Sequence, residues 1–503
     1  MSGIAVIYGS PERTELEAMS KAMVHRGPRA EGVFEGGRVT MFQNYLNPEV
    51  HGEDPGVVPV ADGEGARVCF DGQIGNWREL ASEFGVPEGP MLEERLLLRM
   101  YRELGSGMLK RLGDAIFTFV ICDGEDMLAA RDLLGIKTLF YANKGGNLYL
   151  ASELKGIIPA TEEVYSFPAG HYMDGRGEPV RYAELPRCAP KNMRADVEHI
   201  VEDIRGIIGR SFESRVDFSL PTASLLSGGI DSSVIACIAS KAYRGKFGSG
   251  ERLRTFAFGV GESGDIRNAR LVAEHLGTEH HELMVSLDDI LEVLPEVIYY
   301  LESFDPSLVR SSASNFLISR HARGQGVEVL LSGEGGDEVF CGYSAFKSLP
   351  AEEIFGYQIR CLGYLHSNAS LRLDRMNMCN SVRVVTPLIS GELLDYALCI
   401  HPELKIKTEG GQKMEKWIFR KAFENDLPQE VVWRLKQEFS QGSGSAGVLP
   451  GYFEEAVSDA EFDKARAEHP ILRSKEEFFY HRIFTERFGS GHAVETVGQW
   501  PSL

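Results

Sequence analysis

Over the first 175 residues, short runs rich in β-branched and aromatic residues, at 3–8, 68–70, 115–122 and 147–151, are broken by Gly, Pro and Asp. That pattern predicts strands joined by turns. Helical spacing is confined mainly to 15–23 and 92–103, so this half reads as α+β with a large antiparallel component. Between 175 and 192 the chain turns Pro- and Gly-containing (GRGEPVRYAELPRCAPKN), and a domain boundary is expected near residue 190. Beyond it the pattern alternates: helix-like 197–211, apolar 223–226, helix-like 233–242, strand-like 255–260, helix-like 266–276 and 287–301, strand-like 327–331. Strands alternating with helices predict βαβ units and a parallel sheet, with ligands beyond the carboxyl ends of its strands. From about 351 onward the spacing is mostly helical, and 477–488 (EFFYHRIFTERF) reads as a helix packed on its own domain.

Length and composition narrow this picture. With 503 residues, two domains of 1–190 and 191–503 each bury a sizeable core. The formal charge of −20 and the lack of any basic run argue against nucleic acid or an anionic membrane as partner. No apolar stretch reaches 18 residues and no signal peptide opens the chain, so the cytoplasm is the expected compartment. Eight cysteines without a CxxC pair predict reduced thiols rather than a disulfide framework or a zinc site.

The chemistry concentrates in two loops. Leu226-Ser227-Gly228-Gly229-Ile230-Asp231-Ser232 follows an apolar run and opens a helix, a cradle of backbone N–H and hydroxyl donors for phosphate. Asp231 inside that cradle makes sense with Mg²⁺ between carboxylate and phosphate. A hundred residues on, Ser332-Gly333-Glu334-Gly335-Gly336-Asp337-Glu338 repeats the Leu-Leu-Ser-Gly opening and delivers Asp337 as second magnesium ligand. Glu334, set among glycines, is the candidate general base toward an incoming amine. Glu338, at an expected helix start, is as well explained by the helix dipole as by catalysis. Lys436, next to a Gly/Ser-rich loop, suits charge stabilisation in a phosphoryl transition state. No GxxxxGK[ST] occurs, which disfavours transfer of a γ-phosphate.

With these elements in order, the chain resembles the glutamine-dependent asparagine synthetases. The carrying runs are LLSGGIDSS (225–233), TFAFGV (255–260), LGTEHHE (276–282), ESFD (302–305), LSGEGGDEVFCGY (331–343), KMEKWIFRKAF (413–423) and RLKQEFSQGSG (434–444). In the amino-terminal half they are GIAVIYG (3–9), HRGP (25–28), RDLLGIKTLFY (131–141) and ASELK (151–155). The resemblance implies an Ntn-type glutaminase-like sandwich followed by an α/β ATP-pyrophosphatase domain, with ATP and Mg²⁺ as cofactors. It further implies that a carboxylate is adenylated, pyrophosphate leaves, and ammonia forms the amide. Carried over, Ser227, Gly228, Gly229, Asp231 and Ser232 hold pyrophosphate. Leu226, Val260, Ser332 and Gly333 line the nucleotide site, Asp231 and Asp337 take magnesium, Glu334 serves the ammonia step and Lys436 the adenylation. A homodimer is also what the resemblance implies.

The departures from the family are chemical. Its nucleophilic cysteine after Met1 is Ser2 here, its NGEIYN reads Asp71-Gly72-Gln73-Ile74-Gly75-Asn76, its H-x-R-L arginine falls near Gln43, and its SDTE reads Pro90-Met91-Leu92-Glu93. A serine hydroxyl is a poor nucleophile without a strong base beside it. The expectation is a vestigial glutaminase (Ser2, Asp71, Gln73), with ammonia diffusing in or arriving from a partner. In the acid-binding region the family's T-T-x-R-A-S-T-P-M reads Ser307-Leu308-Val309-Arg310-Ser311-Ser312-Ala313-Ser314-Asn315. Its V-E-A-R-V-P-F-L-D reads Val382-Arg383-Val384-Val385-Thr386-Pro387-Leu388-Ile389-Ser390. Arg310, Ser311 and Arg383 are therefore the candidate contacts for aspartate or a related acid. Two other readings stand beside an ammonia-using ligase. One is an amine-using or intramolecular ligase like β-lactam synthetases and lasso-peptide cyclases, against which Glu334 speaks because the former carry tyrosine there. The other is a non-catalytic regulatory homologue, which has no physical need of two magnesium carboxylates.

Overall fold

The strand-forming runs of the first 185 residues build two antiparallel sheets. The structure, a computed structural model, describes residues 2–10, 13–46, 58–175, 177–185, 193–409, 411–435 and 445–499. The chain divides into two units, Met1–Leu185 with Phe488–Val497, and Pro186–Arg487 with Gly498–Leu503. Where the sequence suggests one crossing near residue 190, a short carboxy-terminal segment thus returns to the first unit, with His492 against the Tyr165 ring at 5.3 Å.

In the first unit, β1 (Ser2–Tyr8), β2 (Ala30–Gly36), β3 (Val39–Tyr45), β8 (Phe140–Lys144), β9 (Asn147–Ala151) and β10 (Tyr165–Ser166) form one sheet, ordered β10-β8-β9-β1-β3-β2. The second sheet, β12-β11-β7-β6-β5-β4, contains β4 (Val60–Ala61), β5 (Arg67–Ile74), β6 (Ala115–Asp123), β7 (Asp126–Arg131), β11 (His171–Asp174) and β12 (Val180–Arg181). Side chains alternate across a strand. Cys69 of β5 accordingly turns into a core shared with Ile4, Val6 and Met41 of the other sheet. Its neighbours Val68 and Phe70 face Leu96, Leu97 and Met100 of helix α2 (Leu92–Leu104). Helix α1 (Arg13–Lys21) packs on β1 and β3. Every residue of β1 is buried, which explains why its sequence is a continuous apolar run rather than an alternating one.

The second unit carries the parallel sheet, ordered β15-β14-β13-β16-β17. Its elements run α3 (Val197–Arg215), β13 (Thr222–Leu225), α4 (Ile230–Phe247), β14 (Arg254–Val260), α5 (Gly264–Leu276), β15 (Glu279–Val285), α6 (Leu287–Leu301), α7 (Pro306–Gly324) and β16 (Val329–Leu331). Then follow α8 (Gly336–Phe340), α9 (Ala369–Met378), β17 (Arg383–Val385), α10 (Trp417–Phe423) and α11 (Lys475–Phe488). Two strands of this sheet were invisible to the pattern. β15 is an edge strand in which Glu279, His280, His281 and Glu282 occupy most positions, and β17 has three residues and lies in the stretch read as helical. Both owe their conformation to main-chain pairing with a neighbour, which overrides local preference. Helix α11 buries Tyr480 and Phe484, the latter on the Phe304 ring at 5.3 Å. Among the described residues no helix is long and apolar enough to cross a membrane.

Candidate functional site

Two loops leave the carboxyl ends of the adjacent central strands β13 and β16 and meet. Gly228, at φ +68°, lies so close to α5 that a Cβ there would stand 2.6 Å from the Ala269 nitrogen. Gly333 lies against the main chain of Asp231 and Ser232, where a Cβ would come within 2.5 Å of a backbone carbon. Only glycine permits both approaches. The first loop is closed on itself: the Ser227 N–H donates to Ser232 Oγ at 3.1 Å, and the Ser232 and Ser233 hydroxyls donate to the Gly229 carbonyl at 3.1 and 2.7 Å. The amino end of α4 thereby presents its first N–H groups to the cavity, an anion-binding arrangement.

Asp231 and Asp337 converge on one cation. The Lys416 ammonium, fully buried, lies on the Asp231 carboxylate and 2.7 Å from Asp337 Oδ1. Lys416 directly precedes α10 and is held at φ +55°, a left-handed conformation unfavourable for a residue with a Cβ. Lys416 lies in the run KMEKWIFRKAF, where no local pattern marks it for a role; only the fold brings it to the two aspartates. The same convergence tests the fit of magnesium. Two carboxylate oxygens gathered at one cation position, beside a phosphate cradle, are the hard oxygen donors that phosphate-bound Mg²⁺ takes from a protein. Replacing Lys416 with Met leaves two carboxylates facing each other and is expected to cost about 3–5 kcal/mol. Millimolar Mg²⁺ is expected to raise the melting temperature of that variant more than that of the parent; equal shifts would mean that the aspartates do not form the cation site.

A cavity of about 190 Å³ opens beside this clamp. Leu226, Ser227, Gly229, Asp231 and Ser232 line it from the first loop, and Ser332, Gly333, Glu334 and Asp337 from the second. Phe256, Ala257 and Phe258 of β14 give it an apolar wall, and Ser307, Ser311, Asn315 and Ile318 enter from α7. Glu334 is ion-paired with Arg372 of α9, which also lines the cavity. Asp265 is held by Arg434 at 2.6 Å, and Arg434 reaches the Gly228 carbonyl at 3.3 Å. Glu338 is buried in the first turn of α8, away from the cavity lining, and accepts from the Tyr343 hydroxyl. Burial first, then the charges of Asp337 and Glu334, push its carboxyl up to about 7.

Three expected contacts fall elsewhere, and a fourth lies outside the described residues. Arg383 begins β17, level through β16 with Thr222, at the amino-terminal edge of the parallel sheet and a strand length from the loops. Arg310 lies on the flank of α7, donating to the Pro306 carbonyl at 3.1 Å with Glu476 at 3.4 Å. Val260 ends β14, two residues beyond the stretch that lines the cavity. Lys436 lies outside the described residues, one position past Leu435, which does line the cavity.

In the first unit, Ser2 opens β1 beside Asp71 of β5. The Ser2 hydroxyl donates to the Phe70 carbonyl at 2.7 Å and accepts from Gln43 Nε2 at 3.1 Å. Asp71 accepts from the Ser2 N–H at 2.9 Å and is paired with Arg26 at 2.9 Å and Lys137 at 3.4 Å. Arg26 spans to Glu153 at 2.8 Å, which also meets Lys155 and His25. Gln73, two residues on from Asp71, is half-buried on the same strand face. Arg26, Lys137, Glu153 and Lys155 were present in the runs HRGP, RDLLGIKTLFY and ASELK, but the meeting of Arg26 and Lys137 at Asp71, and of Arg26 and Lys155 at Glu153, required the sandwich.

Comparison with known proteins agrees with this architecture. The family description "Asparagine synthase" matches residues 203–360 and 350–501, and "Glutamine amidotransferase domain" matches 1–174. Asparagine synthetase B [glutamine-hydrolyzing] of Escherichia coli (strain K12) is 32% identical over 505 residues, covering 96% of this chain and 90% of the relative. A probable asparagine synthetase [glutamine-hydrolyzing] of Schizosaccharomyces pombe is 33% identical over 541 residues, covering 99% and 96%. The chain belongs to the asparagine synthase family, with a glutamine amidotransferase domain ahead of the synthase domain.

Proposed function

We propose that this protein is an ATP- and Mg²⁺-dependent amide ligase that adenylates a carboxylic acid, aspartate or a relative, and forms the amide with free ammonia. We propose equally that its amino-terminal unit does not hydrolyse glutamine. The observation that carries the first reading is the convergence of Asp231 and Asp337, from two facing loops, at one cation position beside a cavity that holds Glu334.

Asp231 and Asp337 would hold Mg²⁺, which when bound neutralises phosphate charge. Ser227, Gly229 and Ser232 orient the phosphates by hydrogen bonds and the helix N-terminus, and the β14 wall offers an apolar face to the base. An acid oxygen then attacks the α-phosphorus, the bond to pyrophosphate breaks, and an acyl-adenylate remains. Ammonia attacks the acyl carbon, the bond to AMP breaks, and Glu334 takes the surplus proton. Lys436 is assigned to the adenylation by the resemblance alone. Acid-dependent exchange of labelled pyrophosphate into ATP, followed by amide formation with ammonium, is the expected result. Exchange without any dependence on an added acid would sink this reading.

A further inference from the structure

The cavity offers the acid a different set of contacts from those the sequence singled out. Arg310 is engaged at the flank of its helix with the Pro306 carbonyl and Glu476, and Arg383 lies at the far edge of the sheet. Two other side chains face the space where the acid must lie. Helices α7 and α9 pack on each other, and both line the cavity. From α9 comes Arg372, whose guanidinium lies on Glu334, the group assigned to the ammonia step. From α7 comes Asn315, 4% exposed, whose Nδ2 has no hydrogen-bond partner among the described residues. A buried amide left so is costly unless a ligand completes it.

Asn315 stands where the family pattern has methionine, so the change puts a hydrogen-bonding group where the pattern has an apolar side chain. The carboxylates lining the cavity each already have a cation of this chain: Asp231 and Asp337 have Lys416, Asp265 has Arg434, and Glu334 has Arg372. Of these cations, Arg372 is the one bound to a carboxylate that must act as a base. A guanidinium binds carboxylates in a fork geometry, and a second carboxylate brought by the substrate competes with Glu334 for it. That exchange of partners would leave Glu334 to accept the ammonia proton.

We propose that Arg372 and Asn315, and not Arg310, recognise the polar group of the acid that is not activated. The proposal rests on the ligase reading above and names the specificity-determining residues of that same site. The test is ATP–pyrophosphate exchange by the full chain with Mg²⁺, which reads adenylation and is blind to the ammonia step. The probes are L-aspartate and succinate, against β-alanine and propionate, which are the same acids without the second carboxylate. The parent is expected to favour at least one dicarboxylate over its counterpart by about 10-fold or more in kcat/KM. Arg372→Ala and the isosteric Asn315→Asp, which turns a donor into an anion, are each expected to raise the KM for that dicarboxylate about 10- to 100-fold. The KM for ATP should stay within about two-fold, Arg372→Lys should recover part of the loss, and Arg310→Ala should leave the acid KM unchanged. An acid KM insensitive to Arg372→Ala, one raised by Arg310→Ala, or one that rises in step with the KM for ATP would overturn the inference while leaving the ligase reading in place. Exchange with none of the four acids would instead overturn the ligase reading on these probes, and the inference with it.

Discussion

Changing Asp337 to Asn is expected to lower acid-dependent ATP–pyrophosphate exchange by about three orders of magnitude while leaving the fold intact. Asp337 and Asp231 stand in the first turns of separate helices, α8 and α4, and share one cation position. The neutral amide keeps the shape but removes half of the negative charge that would hold Mg²⁺ against the phosphates. Electrostatic stabilisation of this kind contributes several kcal/mol to a phosphoryl transition state, and about 1.4 kcal/mol corresponds to each factor of ten. Asp337 is partly exposed to the cavity at 16%, and α8, which carries it, is anchored separately by buried Val339 and Phe340. The melting temperature of the variant should therefore stay within a few degrees of the parent. Exchange retained at a tenth of the parent rate or better would remove Asp337 from the metal site. Coincident loss of activity and of cooperative unfolding would instead mark the residue as structural.

With glutamine as sole nitrogen source, amide formation is expected to fall at least about a hundredfold below that with ammonium, and glutamate should not accumulate above background. The reason lies in what surrounds Ser2. Its hydroxyl is spent as donor to the Phe70 carbonyl and has the Gln43 amide as its donor, so none of these partners is a base that would take its proton. Stabilising the tetrahedral oxyanion needs groups that donate hydrogen bonds toward it. Asp71, standing where the family has an asparagine amide, only accepts, and its charge is tied to Arg26 and Lys137. Ser2→Cys alone is accordingly expected to stay inactive, because a better nucleophile still faces a carboxylate. Glutamate production by the parent, lost in Ser2→Ala, would show the first unit to be a working glutaminase. Activity gained by Ser2→Cys alone would show that Asp71 is no obstacle.

How much of this was legible in the chain varies with the kind of interaction. The two loops that meet at the cavity were legible nearly residue by residue, because a strand end, a small-residue turn and a helix start are local events written in adjacent positions. The other walls of the cavity were not. Arg310 and Arg383 were chosen by their place in a pattern, but whether a side chain enters a cavity depends on helix rotation and strand register. On α7, Ser307, Ser311, Asn315 and Ile318 share one face and leave Arg310 on its flank. On β17, parallel pairing puts Arg383 at the wrong end of the sheet. Strand β15 was missed for a related reason, since a polar edge strand carries no apolar period to detect.

The sequence by itself determined the order of the two halves, the α+β and α/β character of each, the two aspartates and the glutamate of the facing loops, and the loss of the cysteine at position 2. Each of these is either local in the chain or a matter of residue identity. Only the tertiary structure decided that Lys416 closes the Asp231–Asp337 pair, that Arg372 and Asn315 rather than Arg310 and Arg383 face the cavity, and that Arg26 and Lys137 meet Asp71 while Arg26 also holds Glu153. Charges buried this deeply are stable only in each other's company. Their partners lie 38 to 185 residues away along the chain, a distance that only folding removes.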